Sequence, residues 1–282
     1  MLEHTQKFNS GVKLYMFQTG TLKTKLKYIK MNQSNEDFEI PVPWFLIKHP
    51  EGDVVVDGGN AIEVAIDKHA HWGAVINAYD PAMKRSDNCV EQAKGVGTNI
   101  SDVRYLIQSH LHLDHSGGVG RFPNATHIVQ RLEYDYAFNP DWFAAPAYIR
   151  KDFDKPNIDW RFLNDKKTDF FDLYGDGVIT IIFTPGHSPG HQSILLDLPK
   201  SGHILLTIDA AYTVDHWENK CLPGLVTSSS QAADSVKKLR KIAREKKALV
   251  VTGHDPNAWL TFNLSLIHIS EPTRPRLISY AV

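Results

Sequence analysis

The sequence predicts an α/β sandwich of four layers, two mixed β-sheets packed face to face with helices outside. Three observations lead there. Apolar, β-branched runs alternate with helix-forming stretches, a hairpin near the start brings antiparallel pairing into the sheets, and a long amphipathic helix near the end has one face to bury. Four of the apolar runs share a further property: each stops at or just before a residue able to bind a metal ion.

In chain order, "VKLYMFQTG" reads as the first strand, and "VPWFLIK" and "DVVVDGG" as a hairpin about the turn at residues 50–53, the second arm ending at Asp57, Gly58 and Gly59. "VRYLIQSH" is a buried-strand pattern that delivers His110. Residues 134–160, "YDYAFNPDWFAAPAYIRKDFDKPNIDW", are rich in aromatics and prolines and weak in periodicity, so they either pack as an insertion or form a lid or apolar wall beside a site. "VITIIFTPGH" ends at His187, "HILLTIDAAY" reaches Asp209, and "ALVVTGH" ends at His254. Between the last two, residues 228–247 place Ala232, Val236, Leu239, Ile242 and Ala243 at helical spacing, behind a Ser-rich cap and ahead of a Lys/Arg-rich end.

The segment "LSLIHISEPTR", from Leu264 to Arg274, resembles the in-frame translation of a sequencing-library adapter. The expectation is one domain over residues 1–263 and a non-native tail over 264–282, which removes His268 from the candidate ligands.

At 42% hydrophobic and 22% charged residues the chain can bury a real core. A net charge of −1, with both signs spread along the length, leaves no footprint for nucleic acid or an anionic membrane, so small neutral partners are expected. Cys89 and Cys221 form no C-x-x-C pair, which fits a reducing compartment and argues against a thiolate metal site; both are expected to be small buried hydrophobes. The N-terminus lacks a signal-peptide pattern and no apolar run approaches the roughly 20 residues that span a bilayer, so a cytoplasmic protein is expected.

The stretch "QSHLHLDHSGG" packs His110, His112, Asp114 and His115 into six residues, too many for half of one zinc site. With His187, Asp209 and His254 the set reaches seven, more than one ion needs. Three imidazoles, His110, His112 and His187, suit one metal; Asp114, His115 and His254 suit a second; Asp209, with two oxygens, can bridge them. Water between two ions roughly 3.5–4 Å apart loses its proton near neutral pH and becomes a nucleophile. Zinc suits such ligands, as do cobalt, manganese and iron.

"HLHLDH" fits an H-x-H-x-D-H signature, and "TPGHSPGHQS", "LLTIDAAY" and "VTGHD" follow in order, so that about residues 12–259 resemble the metallo-β-lactamase superfamily. More narrowly, "LYMFQTGTLK", "HWG", "FPNATHIVQR" and "KDFDKP" resemble its N-acyl-homoserine lactonases, in the branch with the γ-butyrolactone-hydrolysing lactonase of plant-associated bacteria. The resemblance implies an αββα metallo-hydrolase with two Zn2+, a small lactone substrate opened by a metal-bridging hydroxide, and a homodimer. It also implies that Tyr212 hydrogen-bonds the lactone carbonyl, that Asp114 passes a proton to the leaving oxygen, that Asp57 and His191 stand behind the ligands, and that Gly224 falls near a glycine that lets substrate approach the backbone. The alternatives are a catabolic γ-butyrolactone lactonase or another esterase or thioesterase of the same fold. A β-lactamase of this fold ranks low, because Asp209 stands where it would carry a cysteine.

Overall fold

Alternation of apolar side chains along the strands sets the layers. The structure, a computed structural model, describes residues 11–265; the adapter-like tail from residue 266 on, His268 included, lies outside the described residues. Strands β1 (Lys13–Lys25), β2 (Asp37–Lys48), β3 (Asp53–Val56), β4 (Asp80–Ala82), β5 (Val103–Ile107), β6 (Thr126–Gln130) and β7 (Trp160–Leu163) make a sheet ordered β4-β1-β2-β3-β5-β6-β7. Strands β8 (Phe170–Asp172), β9 (Ile179–Phe183), β10 (Gln192–Leu198), β11 (Gly202–Ile208) and β12 (Leu249–Thr252) make a second, ordered β12-β11-β10-β9-β8.

Both sheets are mixed, as the sequence predicts. In the first, β2 pairs antiparallel with β1 and with β3, whereas β3, β5, β6 and β7 run parallel; in the second only β11 and β12 are parallel. The expected hairpin closes with Ile47 opposite Val54 and Phe45 opposite Val56.

Helices α1 (Leu26–Ile29), α2 (Ile62–Trp72), α3 (Cys89–Gly95), α4 (Arg131–Phe138), α5 (Arg150–Phe153), α6 (Val214–Trp217), α7 (Ser229–Lys246) and α8 (Pro256–Ser265) complete the chain. Phe45, Ile47, Val54 and Val56 face inward onto Ile179, Ile181, Ile194 and Leu206 of the other sheet. Their neighbours Trp44, Leu46 and Val55 face outward onto Cys89 and Ala93 of α3, so a one-residue slip of β2 or β3 would exchange the two environments. On the far side, Ile182 and Leu205 lie under Leu239 and Ala243 of α7. Each such aliphatic side chain, fully buried, stabilises the fold by roughly 1.5–3 kcal/mol.

Helix α7 begins and ends where its sequence says it should. The Ser228 hydroxyl accepts from the Gln231 N–H at 3.4 Å, and Lys247 closes the helix in the left-handed region at φ 53°. Cys89 is buried as expected, but Cys221 is only half-buried, because it lies in the surface loop after α6 rather than under a sheet. Among the described residues, no helix is long and apolar enough to cross a membrane.

The sheets deliver the chemistry through their carboxyl ends. Asp57 directly follows β3, His110 lies three residues beyond β5, His187 four beyond β9, Asp209 directly after β11 and His254 two beyond β12. Ile208, immediately before Asp209, has φ 50°, a left-handed conformation that costs a β-branched residue about 1–3 kcal/mol and is tolerated where surrounding structure over-determines it.

Candidate metal centre

Beyond β5 the chain turns sharply: the His115 and Ser116 N–H groups both donate to the His112 carbonyl, at 3.0 and 3.1 Å. The turn sends His110 and His112 one way and Asp114 and His115 another. His187 Nε2 lies 3.0 Å from His110 Nε2 and 2.8 Å from His112 Nδ1. On the other side, Asp114 Oδ1 lies 3.7 Å from His115 Nε2, and its Oδ2 lies 3.7 Å from His254 Nε2. Asp209 stands between. Its Oδ2 is 3.3 Å from His187 Nε2 and 3.6 Å from His110 Nε2, while its Oδ1 is 3.4 Å from His115 Nε2 and 3.0 Å from His254 Nε2. All seven sequence candidates are thus brought together, in the grouping of three, three and one.

These residues fit a divalent cation. Three ring nitrogens facing one another at such distances have too few protons to satisfy each other, and His115 Nε2 and Asp209 Oδ1 are buried with no hydrogen-bond partner. Burial holds His110 and His187 well below the usual imidazole range, which leaves them neutral as ligands must be. Burial also acts on His115, but Asp209, Asp114 and Asp57 around it overcome that and raise it well above; the carboxylates there call for positive charge. Asp209 is likewise held well below the carboxylate range, because His254, His115 and His187 outweigh its burial. Nitrogen and oxygen donors without thiolate suit zinc and its first-row neighbours.

Behind the ligands, the protonated nitrogens of His115 and His254 are each held by a specific acceptor, which assigns their tautomers. His115 Nδ1–H donates to Asp57 Oδ2 at 2.9 Å, and Asp57 also accepts from the Ser109 N–H at 2.7 Å and the Ser109 hydroxyl at 2.9 Å. His254 Nδ1–H donates to the Pro41 carbonyl at 2.8 Å. His191 reaches no ligand position: its Nε2 accepts from the Asp209 N–H at 3.1 Å, and burial pushes it down to about 4, so it holds the backbone of Asp209 as a neutral ring.

Tyr212 is buried with its hydroxyl 2.9 Å from His187 Nδ1. With His187 Nε2 turned toward the other ligands, Nδ1–H donates to the phenol oxygen, and the phenol keeps its own proton to donate elsewhere. Gly224 packs on another part of the chain. A Cβ there would lie 2.1 Å from the Lys27 carbonyl, and its N–H donates to the Ile29 carbonyl at 2.9 Å, so the close approach it permits is to the chain around α1. The stretch over residues 134–160 meets both expectations at once: Tyr148 and Phe153 are buried against Leu111 and Val129, and the Tyr148 ring stands edge-on to His112 with centroids 4.6 Å apart, while Trp142 is 87% exposed. Sequence reasoning missed Glu133, a fully buried carboxylate beside the centre, and no local signal tells it from Asp135, the other acidic residue of its helix.

A four-layer αββα sandwich with this cluster at its strand ends defines a class, and the model of the metallo-beta-lactamase superfamily matches residues 38–254: the chain belongs to that superfamily. Within it, the chain is 60% identical over 254 residues to "N-acyl homoserine lactonase AttM" of Rhizobium radiobacter, covering 90% of this chain and 97% of the relative. It is 34% identical over 247 residues to an "N-acyl homoserine lactonase" of a Bacillus species, covering 86% of this chain and 93% of the relative. A solved N-acyl homoserine lactone hydrolase, with the product N-hexanoyl-L-homoserine bound at its catalytic metal center, superposes with a TM-score of 0.79 at 29% identity, over 88% of this chain and 95% of that one.

Proposed function

We propose that this protein hydrolyses the lactone ring of N-acyl homoserine lactones at a centre that holds two divalent ions, zinc by its donor set. The observation that carries the reading is Asp209 with one oxygen facing each ligand group, in a chain 60% identical to a lactonase of that specificity. His110, His112 and His187 would hold one ion, Asp114, His115 and His254 the other, and Asp209 both. When bound, such ions supply Lewis acidity, polarising a carbonyl and making water acidic enough to give hydroxide near neutral pH.

The chain's own groups do the rest. His187 donates through Nδ1 to the Tyr212 oxygen, so the Tyr212 proton, which here reaches only the Leu225 carbonyl at a long 3.5 Å, can turn to the lactone carbonyl oxygen, where negative charge develops as water adds to the carbonyl carbon. Asp114, between His115 and His254, takes the proton that the adding water gives up and passes it to the ring oxygen as the ester C–O bond breaks. One C–O bond forms and one breaks, and the products are a carboxylate, a hydroxyl group and a proton. The edge of Tyr148 beside His112 closes one wall against bulk water.

The test is acid release from N-hexanoyl-homoserine lactone and from γ-butyrolactone, with zinc-loaded and chelator-stripped protein. Metal-dependent turnover of the acylated ring at far higher kcat/KM is the expected result. Preference for the bare ring would assign a catabolic lactonase instead, and no metal-dependent release from either would sink the reading.

A further inference from the structure

The carboxylate of Glu133, on α4, is fully buried and accepts four hydrogen bonds. Oε1 accepts from the Leu111 N–H at 3.0 Å and the Tyr148 hydroxyl at 3.1 Å; Oε2 accepts from the Ser188 hydroxyl at 2.6 Å and the Gly190 N–H at 3.1 Å. Leu111 sits between His110 and His112, Ser188 follows His187, and Tyr148 packs on His112. None of the four donors belongs to Asp114, His115 or His254. The loop after His187 is docked closely: a Cβ on Gly190 would lie 2.3 Å from the Glu133 nitrogen, so only glycine lets that loop reach the carboxylate.

Two of the four donors are backbone N–H groups, which cannot turn round to accept. Burial raises the Glu133 carboxyl above its ordinary range while the four donors pull it back; the ionised form is the one that satisfies all four at once, and a buried group this fully bonded is costly to disturb.

We propose that Glu133 is a positioning residue for the three-histidine half of the centre: its carboxylate fixes the His110–His112 loop against the loop carrying His187 and adds buried negative charge beside three imidazoles that carry none. This rests on the two-ion reading above. Asp57 holds the other half directly, through His115, and reaches His110 as well, because the Ser109 hydroxyl that donates to Asp57 lies 2.9 Å from His110 Nδ1. The two buried carboxylates thus differ in reach: Asp57 touches a ligand ring directly and spans both halves through Ser109, whereas the four donors of Glu133 all lie on or against the three-histidine side.

The experiment titrates the full chain with zinc against a chromophoric chelator, and with cobalt while following the shifted imidazole N–H resonances of the ligand histidines. The wild type should take two ions. Glu133→Gln should keep one at wild-type affinity and lose about 10–100-fold at the other, with the resonances of His110 and His187 filling last while those of His115 and His254 are unmoved. Asp57→Asn should instead weaken the His115 side and, through Ser109, shift the His110 resonance as well, so its loss is not confined to one half. Two ions bound by Glu133→Gln at wild-type affinity, or an equal loss in both halves, overturns the positioning role while leaving the two-ion reading intact. A wild type that takes one ion overturns both. If Glu133→Gln does not fold, Ser188→Ala with Tyr148→Phe keeps the carboxylate and removes two donors; the same selective weakening, smaller, is expected, and unchanged affinities there overturn the proposal.

Discussion

The two halves of the centre solve one problem in opposite ways. His110, His112 and His187 are held neutral by burial and gathered within 3.0 Å of contact, so that half is a set of ready lone pairs with little charge of its own. Asp114, His115 and His254 carry carboxylate charge, and the surrounding aspartates raise both histidines above the usual imidazole range. One half attracts a cation through donor geometry, the other through charge. Asp209, reaching into both, is where the two strategies meet.

The largest effect should come from breaking that meeting point. Asp209→Asn keeps the shape but removes the shared charge, and metal content should fall in both halves, with kcat/KM lower by about 10³-fold or more, beyond the 10–100-fold typical of groups behind the ligands. Metal analysis beside steady-state rates checks it; full occupancy of both halves would show that the bridge is not needed. A smaller effect separates ligand-holding from chemistry on the three-histidine side. Tyr212→Phe should lower kcat by roughly 10²-fold with metal content unchanged, and a fall in metal content instead would make the phenol a support for His187 rather than a donor to the lactone.

The smallest effect lies outside both halves and tests whether acid acts on the ligands alone. His127, buried on β6, donates from Nδ1 to the Ala125 carbonyl and accepts at Nε2 from the Gly120 N–H. Burial pushes it down to about 4, with Lys155 acting the same way and the Ala125 carbonyl and Asp159 opposing. Its imidazole in the unfolded chain takes a proton below about 6.5, so its contribution is whole above that pH and is lost as pH falls toward 4. In metal-stripped protein, the stability difference between wild type and His127→Gln should shrink by roughly 2 kcal/mol from pH 7 to pH 5. Denaturant titrations at the two pH values measure it, and a constant difference would confine the acid response to the centre.

What could be read from the sequence was whatever a short window encodes. The caps and apolar face of α7, the hairpin through β2 and β3, and the strand exits at His110, His187, Asp209 and His254 are all local patterns, and the structure places each where the pattern says. The supports are not local. Glu133 bonds to partners 15 to 57 residues away, in a helix whose other acidic residue is exposed, and nothing in "QRLEYDY" tells the buried carboxylate from the solvated one. The segment over residues 134–160 was unreadable for a related reason: its order comes from aromatic packing on Leu111 and Val129, not from periodicity. At Gly224 the sequence marks only that something comes close; that the neighbour is the chain around α1 is visible in the structure alone.

The order of the ligands along the chain bears on how the centre is made. His110, His112, Glu133 and His187 all precede β10, whereas the other half waits for His254, beyond β12, a strand that pairs only with β11. A chain halted short of β12 therefore has His110, His112 and His187 but lacks His254, so the second ligand group is completed only by the last strand.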